Sequence, residues 1–150
     1  MCLSEHFALA EFEHTDTGLP NTAPPAAVLR LRDLCEHVLE PLRVAFGPVV
    51  IESGYRSAAV NRAVGGAPSS QHRRGEAADL HVPGRSTPDV ATWVRDHLSF
   101  DQLILENYRR GVPDSGWVHV SWTALRPLRR SVLTMTLAGH GPVYTPGLEA

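Results

Sequence analysis

Cysteine is scarce in this 150-residue sequence, and long apolar runs are absent from it. The two cysteines, Cys2 and Cys35, form no CxxC pair and are predicted to be free thiols in a reducing compartment. No apolar run approaches the roughly 20 residues of a membrane-spanning helix, so no membrane span is predicted. The first six residues lack the basic start and apolar stretch of a signal peptide. We therefore expect synthesis in the cytoplasm without an export signal.

A large excess of charge is also absent. The sequence has 14 basic and 16 acidic residues, which give a formal net charge of −2. This balance provides no bulk attraction to nucleic acid or to an anionic membrane surface, so neither is an expected partner. The composition, 43% hydrophobic and 20% charged, argues against disorder. The length fits a single domain over residues 1–150, and a monomer is favoured.

Helical and strand patterns alternate along the chain. A helix with apolar residues from Val28 to Phe46 should start at a cap formed by Asn21 or Thr22, and Pro41 should kink or end it. Shorter helices are predicted over residues 57–64 and 88–98. Strands are predicted over residues 49–51, 77–82, 101–107, 117–122 and 131–137. This order predicts an α+β fold with a mainly antiparallel sheet flanked by helices.

Two polar residues in one short segment suggest a metal site. His72 and Asp79 are seven residues apart, and Gly75 allows a sharp backbone turn between them. Imidazole nitrogen and carboxylate oxygen are both zinc ligands, and a catalytic zinc needs a third protein ligand. His119 is the candidate, because strand alternation points it away from Val118 and Val120. The alternative for His119 is a hydrogen-bonded histidine of the sheet.

A general base would be needed beside such a metal. If the hairpin between the strands at 101–107 and 117–122 folds symmetrically about the bond between Val112 and Pro113, Glu106 lies directly opposite His119. Directly opposed residues share a face of the sheet, so Glu106 would be placed to take a proton from water. The alternative is a solvent-exposed strand glutamate.

An arginine and two further residues complete the candidates. Arg56 follows a buried strand in the segment Ser53-Gly54-Tyr55-Arg56-Ser57, where a guanidinium could bind a substrate carboxylate. It could instead tie down its own loop. Asp101 is a secondary candidate, as is His81, which shares the face of Asp79 and could support that ligand.

These segments together resemble the zinc D-Ala-D-Ala carboxypeptidase family, which has the hedgehog/DD-peptidase fold. The motifs that carry the resemblance are Ser53-Gly-Tyr-Arg56-Ser, Asn61 through Gly65-Gly66, Ser70-x-His72-x-x-Gly75-x-Ala77-x-Asp79 and Trp117-Val-His119-Val. The Ser-x-His-x-x-Gly-x-Ala-x-Asp string is much more specific than a lone pair of histidines. The similarity extends from about Glu11 to Ser121, and the last 25 or so residues carry no recognisable motif.

The resemblance implies roles for several of these residues. It implies that His72, Asp79 and His119 bind one zinc ion. It also implies that Arg56 binds substrate or polarises the reaction intermediate, with Ser70 and Tyr55 beside the substrate. Some relatives carry the catalytic glutamate three residues before the last histidine, where this sequence has Gly116. Glu106 is therefore expected to supply the base.

The function implied is hydrolysis of an amide bond in peptidoglycan stem peptides, either D-Ala-D-Ala or L-Ala-D-Glu. The alternative is a non-catalytic, zinc-containing module that binds the cell wall or belongs to a phage particle. Because two histidines and one aspartate leave a coordination position open, whereas structural sites are closed and usually rich in thiolate, catalysis is favoured. The expected site of action is the cell wall, reached by phage-type release or by another export route.

Overall fold

The computed structural model describes residues 1–150, and its central element is a six-stranded sheet. The strands are β1 (Val50–Ser53), β2 (Ala77–His81), β3 (Gln102–Glu106), β4 (Trp117–Ser121), β5 (Ser131–Ala138) and β6 (Gly141–Pro146). They are arranged in the order β1-β2-β4-β3-β5-β6. All neighbouring pairs are antiparallel except β3 and β5, which are parallel. The prediction of an α+β fold with a mainly antiparallel sheet is confirmed.

The helices account for most of the remaining regular structure. They are α1 (Leu9–Glu13), α2 (Pro25–Leu34), α3 (Glu40–Phe46), α4 (Ala58–Ala63) and α5 (Thr87–His97), with a π-helical turn at Cys35–Leu39 and a 3-10 turn at Gln71–Arg74. The predicted helices over 57–64 and 88–98 correspond to α4 and α5, whereas α1 was not predicted. No helix combines the length and the apolar character needed to cross a membrane.

Pro41 does not end its helix, contrary to one of the two predicted outcomes. The chain stays helical from α2 through the π-helical turn into α3, and Pro41 lies near the start of α3. Proline has no N–H to donate to the preceding turn. The wider π-helical turn just before it is a local rearrangement of the hydrogen-bond ladder, of a kind that occurs within longer helices.

Neither Asn21 nor Thr22 caps the helix, contrary to the prediction. The residue before α2 is Pro24, which offers no side-chain hydrogen bond. The Asn21 side chain instead donates to the backbone oxygen of Tyr55 over 2.9 Å and accepts from the backbone N–H of Ser57 over 2.7 Å. Asn21 therefore fixes the loop that contains Arg56.

The two faces of the sheet have different neighbours. Leu80, Leu103, Leu105, Val118 and Val120 point to one face and share a buried core with residues of α2, the π-helical turn and α5. Successive side chains in a strand alternate between faces. The intervening residues of β2, β3 and β4 therefore point to the opposite face, where six of them line a cleft: Asp79, Gln102, Ile104, Glu106, Trp117 and His119.

Gly75 connects the 3-10 turn to β2 with a left-handed backbone conformation, φ +76°. A Cβ at this position would lie 2.5 Å from the backbone oxygen of Ala27 in α2. A side chain here would thus add a steric clash to the conformational strain that any L-residue has at this φ. The predicted sharp turn between His72 and Asp79 is confirmed.

We expect Gly75→Ala to lower the free energy of unfolding by about 2–4 kcal/mol, from about 1–2 kcal/mol of left-handed strain plus a packing clash. Gly84→Ala is the matched control, because Gly84 has φ +79° but nothing within 4 Å of the added Cβ. Urea unfolding of both variants measures the difference. If both variants lose the same free energy of unfolding, the close contact between residue 75 and α2 does not contribute to the destabilisation.

Candidate metal centre and cleft

Three buried side chains converge on the cleft face of the sheet. His72 comes from the 3-10 turn, Asp79 from β2 and His119 from β4, and Asp79 and His119 are directly paired in register. Nδ1 of His119 lies 2.9 Å from one Asp79 oxygen, and Nε2 of His72 lies 3.3 Å from the other. One potential ligand atom from each residue lies within 4.8 Å of the other two.

The backbone fixes the orientation of the His72 ring. Its Nδ1 lies 2.7 Å from the carbonyl oxygen of Gly54. Because a carbonyl oxygen only accepts, Nδ1 donates to it, which leaves Nε2 as the nitrogen of His72 that could bind a metal ion. The Ser70 hydroxyl accepts from the His72 backbone N–H and so caps the 3-10 turn. Ser70 therefore helps to position His72, and it also lines the cleft.

The electrostatics of the cluster keep Asp79 ionised. Burial alone would raise its pKa, but the interactions with His72 and His119 outweigh burial and hold the pKa well below its usual range. The cluster thus supplies a carboxylate and two imidazoles, without a thiolate. This is a donor set of catalytic zinc sites, and the three residues could hold one zinc ion.

Arg56 lies beside these residues. Its Nη2 is 3.2 Å from an Asp79 oxygen, its Nε is 3.1 Å from the Ser53 hydroxyl, and its Nη1 is 3.5 Å from the Asn61 amide oxygen. These contacts join the segment Ser53–Ser57 and Asn61 to the candidate ligand Asp79. The guanidinium also lines the cleft, where it can reach a substrate carbonyl or carboxylate.

Glu106 lies on the same face of the sheet as His119, but the predicted register of the hairpin is wrong by two residues. Glu106 pairs with Trp117, and Ile104 is the residue opposite His119. The connection between β3 and β4 is irregular, with positive φ at Asn107 and Gly116, so its centre is shifted from the assumed one. A shift of two residues preserves the face, since side chains alternate with a period of two.

The environment of Glu106 suits a residue that exchanges protons near neutral pH. Burial and the negative charge of Asp79 raise its pKa to about 7. A base is most effective when its pKa lies close to the working pH.

Gly116 occupies the position at which some relatives carry a glutamate. Its φ is +69°, and a Cβ there would clash with the backbone oxygen of Glu106. This backbone conformation cannot accept a glutamate side chain at residue 116. Glu106 is therefore the carboxylate available on this face next to the three candidate metal ligands.

The cleft around these residues has a volume of about 860 Å³. One wall comes from β5 and β6, which sequence reasoning did not connect with the site. In register order, Trp117, Glu106, Met135 and Tyr144 form a row across β4, β3, β5 and β6. Burial and the charges of Glu106 and Asp79 raise the pKa of the Tyr144 phenol, so it remains a hydrogen-bond donor at neutral pH.

The alternation in residues 131–137 predicted β5, but not the strand beside it. β6 contains Pro142 and Pro146 and lies at the edge of the sheet, where proline is tolerated. A sequence with two prolines in six residues gives little signal for a strand, so β6 had no sequence signature.

Three predicted residues lie away from the centre. The Tyr55 side chain is part of the hydrophobic core and not of the cleft lining, so the structure does not bring it to the substrate. His81 does not contact Asp79. It lies 3.5 Å from Glu52 and lines a separate pocket. Asp101 is fully buried and accepts hydrogen bonds from Gln71, next in sequence to His72, and from Arg129.

Comparison with known proteins adds two findings. A family model described as Peptidase M15 matches residues 5–121, which excludes β5 and β6. The zinc D-Ala-D-Ala carboxypeptidase of Streptomyces albus G is 30% identical over 110 residues, covering 71% of this chain and 43% of that protein. The chain thus spans less than half the length of this curated relative.

Proposed function

The chain belongs to the peptidase M15 family, and from that premise we propose that it is a zinc metallopeptidase that hydrolyses an amide bond of peptidoglycan stem peptides. The observation that carries the proposal is the buried group of His72, Asp79 and His119, with Glu106 on the same face of one cleft. The bond cleaved is D-Ala-D-Ala or L-Ala-D-Glu.

The chain's own residues divide the chemistry between them. His72, Asp79 and His119 would hold the zinc ion, which acidifies water and polarises a carbonyl when it is bound. Glu106 accepts the proton of the attacking water and returns it to the leaving amine. Arg56 donates hydrogen bonds to the substrate carbonyl, where negative charge develops. Ser70 and Gly54 hold His72 in the required orientation.

The alternative function is a non-catalytic, zinc-containing module that binds the cell wall or belongs to a phage particle. Such a module has no need of a proton acceptor. Glu106, which is half-buried on the cleft face and has a raised pKa, favours the peptidase. Binding without cleavage in the experiment below would support the alternative instead.

We further propose that the site of action is the cell wall, where the proposed substrate lies, and that the protein reaches it by phage-type release or another export route. Fractionation of producing cells before and after lysis tests this placement, and protein that stays inside intact cells with unchanged wall peptides would contradict it. We further propose a monomer, which size-exclusion chromatography with light scattering would test.

We expect zinc-loaded protein to cleave purified stem peptides and the chelated protein to leave them intact. Mass spectrometry of the products identifies the bond, since loss of one alanine indicates D-Ala-D-Ala cleavage and release of the L-Ala end indicates L-Ala-D-Glu cleavage. Adding zinc back to the chelated sample is the control for irreversible unfolding. Intact peptides from folded, zinc-loaded protein would contradict the peptidase.

A further inference from the structure

Three arginines gather at one end of the cleft, next to the turn that carries His72. Arg74 comes from that turn, and Arg126 and Arg129 come from the connection between β4 and β5. Their side chains are 36%, 39% and 52% exposed, respectively. The family match ends at residue 121, so two of the three lie outside it.

Two carboxylates lie beneath the arginines, and both Glu76 and Asp101 are 0% exposed. Burial opposes their ionisation, but hydrogen bonds and the arginine charges hold the pKa of both below the usual range. Three positive charges thus meet two negative ones, which leaves one positive charge in excess at this end of the cleft.

The hydrogen bonds show which guanidinium is free. Arg129 is committed to Asp101, with Nη2 at 2.8 Å, and Arg74 to Glu76, with Nε at 2.8 Å. Arg126 approaches the same two carboxylates at only 3.5 and 3.7 Å and makes no hydrogen bond with any protein group. Its five N–H donors remain available, while the two charges below limit where the side chain can move.

We infer that Arg126, flanked by Arg74 and Arg129, binds a carboxylate of the substrate, so that the cleft selects acidic peptides. The inference rests on the proposed peptidase function and adds a substrate class to it. Arg56 is a separate group, because it already contacts Asp79. The bound carboxylate belongs either to the peptide C-terminus or to an acidic side chain, since a guanidinium binds both alike.

The test compares three versions of one stem peptide: the free acid, its C-terminal amide and its side-chain amide. We expect Arg126→Gln to raise KM about tenfold for the free acid, with kcat little changed. For the amide that lacks the carboxylate bound by Arg126, the KM of Arg126→Gln should equal that of the wild type. The identity of that amide shows whether the bound carboxylate is the C-terminus or a side chain. Arg32→Gln is the control, because Arg32 is exposed on α2, away from the cleft, and should affect neither constant.

Further measurements keep the test decisive. Arg126→Lys, which keeps the positive charge, should retain part of the preference for the acid even if Arg126→Gln folds poorly. In the wild-type protein, salt should raise KM for the acid and not for the amide that lacks the bound carboxylate. Equal KM values of the wild type for all three peptides would overturn the inference, but they would not contradict the proposed peptidase activity.

Failure of the proposed function has a different signature, namely no cleavage of any peptide. Calorimetric titration of the same peptides into the wild type and Arg126→Gln then decides the subsite. If the wild type binds the free acid more tightly than one of the amides and Arg126→Gln does not, the inferred carboxylate site is supported. If the wild type binds the free acid and both amides equally, the inference is overturned.

Discussion

Replacing Glu106 with glutamine is expected to lower kcat by about 10²–10⁴-fold while zinc content and peptide binding stay near wild type. The range is the usual contribution of a general acid–base group. Glutamine keeps the size of the side chain and its place beside Trp117, but it cannot accept the proton of water. Steady-state kinetics on a stem peptide, with zinc measured by atomic emission, tests this directly.

The matched control for this variant is Glu52→Gln. Glu52 lies beside His81 in the separate pocket and is about 41% exposed, so its substitution removes the same charge away from the cleft. We expect activity within about twofold of wild type for the control. Full activity of Glu106→Gln would show that another group is the base, and loss of zinc from it would assign Glu106 to the metal site.

The second large effect concerns Asp79. We expect Asp79→Asn to lose stoichiometric zinc and all measurable peptidase activity, because the amide removes the negative charge that both histidines face. A ligand that binds only the folded state raises the melting temperature by mass action, so zinc should raise the Tm of the wild type but not of the variant. Metal analysis and thermal unfolding with and without zinc measure both effects.

Asp114→Asn serves as the control for Asp79→Asn, since Asp114 is exposed and lines the other pocket. It should keep wild-type zinc content and the full Tm shift. One equivalent of tightly bound zinc in Asp79→Asn would remove Asp79 from the ligand set. The zinc-free variant should also be folded, which circular dichroism checks, because loss of metal through unfolding would carry no information about ligation.

The candidate metal-ligating group could be anticipated because each of its residues is indicated by its own short segment of sequence. Alternation in the strand pointed His119 away from Val118 and Val120, and Gly75 marked the turn between His72 and Asp79. Each of these inferences uses a few adjacent residues, and the structure brings the three side chains together. Glu106 was placed on the correct face by the assumed symmetric hairpin, because an error of two residues in register preserves the face. Its exact partner depended on a turn with unusual φ values.

The remaining parts of the cleft depend on pairing between distant segments. Nothing in the local sequence shows that β5 runs parallel to β3 or that a proline-containing strand follows it. Likewise, the meeting of Arg126 with Glu76 and Asp101 follows from the path of the chain after β4. Tyr55 was expected beside the substrate, but its side chain lies in the hydrophobic core. A sequence motif identifies which residues are neighbours along the chain, but not the direction in which each side chain points.

The position of β5 and β6 along the chain has a consequence for biosynthesis. His72, Asp79, Glu106 and His119 all precede residue 122, whereas the wall formed by β5 and β6 begins at Ser131. Because a ribosome delivers the chain from its N-terminus, all four residues are synthesised before any residue of this wall. A nascent chain that contains all four candidate site residues therefore still lacks one wall of the cleft, which is complete only once β6 has been synthesised.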